Sequence, residues 1–390
     1  MLEMPKVILL IDSSRAVGRG LLRGIAKYSR LNGPWLLYTE PPEYIMTTTW
    51  KTRLKRIKEW QGDAIIIRDS AEHIYEVLAL GLPTITACNT QNEFPGSPSI
   101  IDDCASAGIM AAEHFLDRGF RNFAYCGFDG MQWSRERCNS FSKRVAEAGF
   151  ETHIYRQPES KAQRSWEKEP DYIAKWLRLL PKPLALMTCA DHRSKQAVEA
   201  CRIAGLEIPY QVAILGVDND ELLCELSTPP LSSVAINYEK GGYTAAELLD
   251  RMMARNFKDL KQQILLQASH IIPRHSTDVL AIDDTEVAKA IRFIRQQARK
   301  QIQVRDVVNA TSLSRRQLYQ RFQRHMGRSI LSEIKRARVA KIAKALSETN
   351  LTVTQIASDF GFSSPDHVAR YFRSQMKMSP SEYRRLLDQN

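Results

Sequence analysis

Long apolar runs are missing from this 390-residue chain: the longest near the start, Val7 to Ile11, is broken by Asp12 and Arg15 and falls far short of the ~20 residues that span a bilayer. No charged leader with a small-residue cleavage site precedes it, so a cytoplasmic protein without membrane contact is expected. Cysteine is present but unorganised. Cys88, Cys104, Cys126, Cys138, Cys189, Cys201 and Cys224 form an odd set with no C-x-x-C pair and no histidine at metal spacing. That argues against a disulfide framework or a zinc site and for buried, reduced thiols. A P-loop and a Ser-His-Asp order are absent too, and the eight histidines are scattered. No metal, no cofactor and no enzymatic activity are therefore expected.

What is present is ample material for folded cores. With 44% hydrophobic residues and a length beyond what one core usually serves, the chain predicts two or three domains. Its net charge of +11 is lopsided. From Ala281 to Asn390 there are 21 Lys and Arg against 10 Asp and Glu, which leaves 34 of each sign before that point. A neutral first part suits a neutral or small ligand, whereas a basic, compact second part suits phosphates.

The first part alternates short apolar runs with helical patterns, as a parallel sheet with crossover helices requires. Strands are predicted at Val7 to Ile11, Ala64 to Ile67, Thr84 to Ala87, Phe123 to Cys126, Leu184 to Thr188 and Val212 to Val217. Helical spacing falls between them, as at Met110, Ala111, His114 and Phe115 before the stop at Gly119. Pro158 to Pro170 is polar and reads as a surface loop leading into a helix around Ile173 to Leu180. Pro273 to Asp284 marks a boundary, and from Thr285 every periodic segment is helical, with Val287, Ala290, Ile291, Ile294 and Ala298 on one face. The expected fold is an α/β domain over 5–280 and an all-α domain over 285–390.

The helical part contains a repeat: "VRDVVNATSLSRRQLYQRFQR" from Val304 to Arg324 and "VTQIASDFGFSSPDHVARYFRSQ" from Val353 to Gln375. In each copy a short helix meets a break, a serine (Ser314 or Ser364) stands where an N-cap belongs, and a second helix shows apolar residues four apart. That is the pattern of a helix-turn-helix unit. With Leu318, Phe322, Val368 and Phe372 turned inward, Arg315, Arg316, Tyr319 and Gln320 of the first copy face outward, as do Asp366, His367 and Arg370 of the second. Such positions reach base edges when the helix enters a major groove. Gly361 fits a tight turn that needs positive φ. Between the copies, Ile330 to Leu346 carries Lys335, Arg336, Arg338, Lys341 and Lys344 around a stripe of Ile334, Val339, Ile342 and Leu346, and would fix the spacing of two reader helices.

Residues 286 to 388 resemble the AraC-family DNA-binding domain through Ile356, Ala357, Gly361, Phe362, Ser364, Arg370, Phe372, Pro380, Tyr383 and Arg384. The resemblance implies that two recognition helices enter successive major-groove segments, with Arg316, Tyr319, Gln320, Asp366, His367 and Arg370 as base-contact candidates. Asp366 departs in character, since a carboxylate near DNA can only accept, as from cytosine N4.

Residues 6 to 279 resemble the sensor domain of lactose-repressor and galactose-repressor type regulators, which share the fold of periplasmic sugar-binding proteins. The phrases that carry this are "SIIDDCASAGIMAAEHFLDRGFRNFAYCG", "RERCNSF", "ALMTCADHRSKQAVEACRIAGLEIPYQVAILGVDND" and "PPLSSVAINYEKGGYTAAELL". By position the resemblance implies sugar contacts at Asp103, Arg137, Asp191 and Asp218, with Ser13, Ser14 and Arg15 lining the cleft and Trp133 offering an apolar face. Ala190 stands where the family often has Asn. The two resemblances together imply a sugar-responsive transcription regulator, an activator of pentose catabolism with xylose or a related sugar as effector. Double-stranded operator DNA, RNA polymerase and a second copy of the chain are the implied partners.

A dinucleotide fingerprint is the competing reading. Gly18, Gly20 and Gly24 follow the first strand and Glu40 lies about 20 residues beyond, which would suit an NAD(P)-dependent oxidoreductase carrying a DNA-binding module. The glycines, however, are spaced G-x-G-x-x-x-G and stand well past the strand end, where a pyrophosphate could not sit on the helix N-terminus.

Overall fold

Strand-length runs of aliphatic residues, separated by amphipathic helices, build two parallel sheets, and the computed structural model shows one in each of two lobes. It describes residues 4–39, 49–68, 73–89, 97–160, 165–254, 263–282, 284–349, 351–376 and 378–389. The first lobe opens with β1 (Lys6–Leu10), α1 (Ala16–Asn32), β2 (Leu36–Thr39), α2 (Trp50–Glu59), β3 (Ala64–Arg68), α3 (Ile74–Leu78), β4 (Thr84–Asn89) and β5 (Ser99–Asp102). The chain then crosses into α4 (Cys104–Leu116), β6 (Asn122–Cys126), α5 (Gln132–Glu147), β7 (Thr152–Ile154), α6 (Glu169–Leu179), β8 (Leu184–Thr188), α7 (Asp191–Ala204), β9 (Val212–Val217), α8 (Glu221–Glu225) and β10 (Ser232–Ile236). It returns as α9 (Tyr238–Met253), which packs on α1, and β11 (Gln263–Leu266), and crosses once more into β12 (Ala268–Ile272).

Six strands stand in each sheet, in the orders β11-β5-β4-β3-β1-β2 and β12-β10-β9-β8-β6-β7. The first is parallel throughout, and in the second only β12 runs antiparallel, on the edge. The inner strands β8, β9 and β10 are buried along their whole length, as parallel strands covered on both faces must be. Three crossings join the lobes, at Asp102 to Cys104, Ile236 to Tyr238 and Leu266 to Ala268. They are stitched together: the Asp103 N–H donates to the Leu266 carbonyl at 2.8 Å, and the Ala268 N–H to Ser106 Oγ at 2.9 Å.

The glycines after β1 serve helix packing. A Cβ on Gly24 would lie 1.8 Å from the Glu239 carbonyl oxygen, and one on Gly20 would lie 2.6 Å from Cβ of Tyr238. They let α1 touch α9, which is a different use from cradling a pyrophosphate. Glu40, the partner that a dinucleotide reading needs, lies outside the described residues.

Past a short 3-10 turn at His275–Thr277, the chain is helical: α10 (Thr285–Gln296), α11 (Val304–Asn309), α12 (Arg315–Met326), α13 (Ile330–Glu348), α14 (Val353–Asp359), α15 (Pro365–Met376) and α16 (Pro380–Gln389). Two cores form. Val287, Ile291, Ile294, Val307, Leu318, Phe322 and Met326 close the first, and Ile356, Ala357, Phe360, Val368 and Phe372 the second. α13 serves both: Ile330 and Ile334 belong to the first core, and Val339, Ile342 and Leu346 to the second. Two of its expected surface cations are otherwise engaged. Arg338 is buried, donates to the carbonyls of Lys300 and Phe360, and stacks 4.3 Å from the Phe362 ring. Arg336 pairs with Asp117, at the end of α4.

Candidate functional site: an interlobe cleft and a nucleic-acid interface

In parallel sheets the strands' carboxyl ends carry the loops that meet a ligand, and here those ends face one another across the lobes. Arg137 of α5 is the central group. It is 2% exposed; its NH1 donates to the Cys189 carbonyl at 2.6 Å, and its NH2 lies 3.3 Å from Asp218 Oδ1 and 3.5 Å from Asp102 Oδ2. Asp218 follows β9 in the second lobe and Asp102 ends β5 in the first. Tyr238, at the return crossing, donates its hydroxyl to Asp218 Oδ1 at 2.9 Å, with Asp102 Oδ2 3.4 Å away. The guanidinium also lies 5.3 Å from the centre of the Trp133 ring. Burial works against the charge of Arg137, yet Asp218, Tyr238 and Asp102 raise its pKa well above the ordinary value.

The structure thus brings together Arg137, Asp218 and Trp133 of the sequence-derived set, and adds Asp102 and Tyr238. Asp103 serves the helix instead, its carboxylate capping α4 by accepting from the Ser106 N–H at 2.9 Å. The neighbouring carboxylate, one residue earlier, is the one turned toward Arg137. Asp191 is buried behind the cleft wall, where Ser233 Oγ donates to it at 2.6 Å and the Asp220 N–H at 2.7 Å. Burial, with the Asp218 charge added, pushes its pKa up to about 8. Asp102 is raised to about 6, again mainly by burial.

Ser13, Ser14 and Arg15 form an exposed rim. Arg19 holds that loop by donating to the carbonyls of Ser13 at 3.2 Å and Ser14 at 2.6 Å, and its NH2 meets Asp220 of the other lobe at 2.7 Å. The Ala16 N–H, at the start of α1, also donates to Asp220, at 3.1 Å. One wall is aromatic: His192 stacks between Phe128, with centroids 5.6 Å apart, and Trp166, 6.4 Å away. Burial, with the nearby Arg15 charge, lowers the His192 pKa to about 4. Three atoms of the constellation and its surroundings, Asp102 Oδ1, Arg137 Nε and Arg68 Nε, are buried with no hydrogen-bond partner among the described residues. A separate groove of about 590 Å³ lies against the outer face of α7, between Trp166 and Pro229, and shares only Trp166 with these groups.

In the helical domain both predicted caps are present. Ser314 and Gln317 form a reciprocal capping box at α12, and Ser364 Oγ accepts from the His367 N–H at 3.2 Å at the start of α15. Gly361 has φ of 67° in the turn between α14 and α15. Arg315, Arg316, Gln320, Asp366 and Arg370 are exposed. Tyr319, His367 and Ser364 are half-buried: Arg315 lies 5.6 Å over the Tyr319 ring, and His367 meets Phe362 edge-on at 5.3 Å. Sequence periodicity gave the outward face but not this packing. α13 spans 19 residues, about 28 Å at ~1.5 Å per residue, and joins the two units.

Comparison with known proteins follows the same division. The family model of a periplasmic binding protein-like domain matches residues 112–277, and that of a helix-turn-helix domain matches 307–386. The chain is 28% identical over 387 residues to the xylose operon regulatory protein of Escherichia coli K12, covering 97% of this chain and 96% of that one. It is 27% identical to the protein of that name from Haemophilus influenzae, with 97% and 98% covered. A solved structure of the xylose-binding transcription activator xylR superposes with a TM-score of 0.62 at 26% identity, covering 99% of each chain. The cellobiose complex of the transcriptional regulator CelR, 17% identical with a TM-score of 0.56 over 71% of this chain and 86% of that one, shares the fold.

Proposed function

Because the chain belongs to the transcription regulators that join a periplasmic binding protein-like sensor to an AraC-type helix-turn-helix domain, we propose that it activates sugar-catabolic genes in the cytoplasm, as a homodimer that engages RNA polymerase, in response to a pentose such as D-xylose. The observation that carries the effector reading is the group around Arg137. One buried acceptor, Asp102 Oδ1, and two buried donors, Arg137 Nε and Arg68 Nε, lack partners among the described residues. Sugar hydroxyls serve as donor and acceptor at once, and a few placed polar groups beside an apolar wall are what orient such a ligand. Trp133, Phe128 and His192 supply that wall, and Ser13, Ser14 and Arg15 the rim.

Arg137 and Asp102 come from different lobes, so a ligand held by both favours the closed arrangement by its differential affinity. On the DNA side, Arg315, Arg316, Gln320 and Arg370 read base edges or phosphates, Tyr319, His367 and Asp366 trim the choice, and Ser364 holds its helix start.

The test is a titration of the full chain with D-xylose, other aldopentoses and hexoses, followed by operator binding at fixed salt with and without the sugar that binds. Saturable binding of one pentose that alters operator affinity supports the reading. Binding of no sugar, or of one that leaves DNA affinity unchanged, rejects it.

A further inference from the structure

Sensor and DNA-reading domain meet at the far end of α4, where one aspartate meets three arginines, two through its carboxylate and one through its backbone carbonyl. Asp117 follows the last residue of α4. Its carboxylate pairs with Arg336 of α13, and its Oδ1 lies 3.6 Å from Arg328 NH2 in the turn before α13. Its carbonyl accepts from Arg295 NH2 of α10 at 3.0 Å. The next residue extends the seam: the Arg118 carbonyl accepts from the Ala281 N–H at 2.9 Å, and Arg118 Nε donates to the Thr277 carbonyl at 3.0 Å. Across the seam Arg295 repels Arg118 of the sensor, so carboxylates are needed there for the two domains to dock. Glu333 takes Arg328 Nε at 2.7 Å, and Asp278 also faces Arg295 and Arg118, but of these carboxylates Asp117 is the one on α4's end that pairs with Arg336 and Arg328.

The other end of α4 lies at the cleft. The helix begins two residues after Asp102, and it is pressed against α5 so closely that a Cβ on Gly108 would stand 2.7 Å from the Arg137 carbonyl oxygen. The cleft's central cation and the arginine cluster are therefore attached to one tightly packed helix pair.

We propose that Asp117 is the pin that fastens the DNA-reading domain to the second lobe, so that α4 transmits movement of that lobe to the reader helices as a rigid strut. At 13 residues the strut is about 20 Å long. The inference goes beyond the regulator reading by naming the route, and the docking it describes does not depend on the effector's identity. Asp117 is a positioning residue that touches neither ligand nor DNA.

The test uses the full chain in two arms. In the first, amide hydrogen exchange is followed without sugar in the wild type, Asp117→Ala, Asp117→Glu, Arg336→Ala and the double variant Asp117→Ala/Arg336→Ala. Asp117→Ala should speed exchange several-fold in residues 278–282 and in the first turns of α13 while leaving β8 and β9 protected. Asp117→Glu should stay close to the wild type, and the double variant should be no worse than Asp117→Ala, since both changes remove the same contact. Unchanged exchange in Asp117→Ala, or strictly additive effects in the double variant, overturns the pin. In the second arm, operator affinity is measured with and without D-xylose. The ratio should shrink toward one in Asp117→Ala with D-xylose affinity preserved, and an undiminished ratio overturns the strut. A wild type that ignores D-xylose counts against the effector reading instead, and the exchange arm then decides the docking alone.

Discussion

Arg137 is almost wholly buried and bridges two carboxylates that belong to different lobes. Removing one partner of a buried charge set leaves the others uncompensated, at about 3–5 kcal/mol. Arg137→Ala should therefore abolish effector binding in a titration and lower the sensor's stability by that order in urea melts, and Arg137→Lys should recover only part of both. Asp191 makes a prediction in pH. Its folded pKa of about 8 lies far above that of an exposed aspartate, so between pH 6.5 and 8 the folded chain holds a proton that the unfolded chain has released. The stability contributed by this group then falls as pH rises toward 8. His192, lowered to about 4, favours the fold with rising pH only below about 6.5, its unfolded value, outside that window. Thermal melts of Asp191→Asn should accordingly decline less between pH 6.5 and 8 than those of the wild type. A parallel decline in both would show that the Asp191 proton is not involved. The sequence marked Arg137 and Asp218 through their phrases, but it offered two adjacent carboxylates in "IIDDC". Only the backbone direction at the end of β5 assigns Asp102 to the cleft and Asp103 to the helix cap. Tyr238 escaped notice because an aromatic residue at a helix start carries no signal until a crossing places it beside a carboxylate.

Among the elements, the strands legible in sequence were those buried on both faces, where aliphatic runs are continuous: β1, β3, β4, β6, β8 and β9. β2, β7, β11 and β12 stand at or near sheet edges with half-exposed residues, and β5 and β10 carry serines that blur the run. Helix contact is less legible still. The glycines of α1 resemble a phosphate loop in one dimension, and their purpose emerges only when α9 returns from the other lobe to lie against them. Gly24→Ala would place a methyl 1.8 Å from the Glu239 carbonyl, so the two helices must separate. Overpacking of this kind costs about 1–3 kcal/mol, measurable as a lower urea midpoint. At the reader helices the caps were legible because capping is local chemistry. Ser314→Ala should cost about 1 kcal/mol of stability, whereas Arg370→Ala, at an exposed position of α15, should leave melting unchanged and weaken operator binding by about 1–3 kcal/mol if it meets a base edge. Equal loss on all sequences, with a shallower salt dependence, would instead assign Arg370 to the backbone.

For the whole molecule, the division of charge was the clearest message of the sequence: a neutral lobed part and a tail carrying the entire excess of +11. Operator affinity should fall steeply with salt, and the slope should belong to the tail, since counterion release scales with the phosphates contacted. Effector binding should stabilise the sensor by about 2.7 kcal/mol at a hundredfold excess over Kd and so raise its melting temperature. A basic surface is not the same as a free one, however. Arg338 is buried and Arg336, though partly exposed, is paired with Asp117, so both count in the charge without being free, and nothing in their spacing separates them from Lys335 or Lys341.

Both helix-turn-helix cores draw on α13, with Ile330 and Ile334 at one end and Val339, Ile342 and Leu346 at the other. Two readers that look like independent modules thus share a structural element. Unfolding of the shared helix would therefore disturb both units at once.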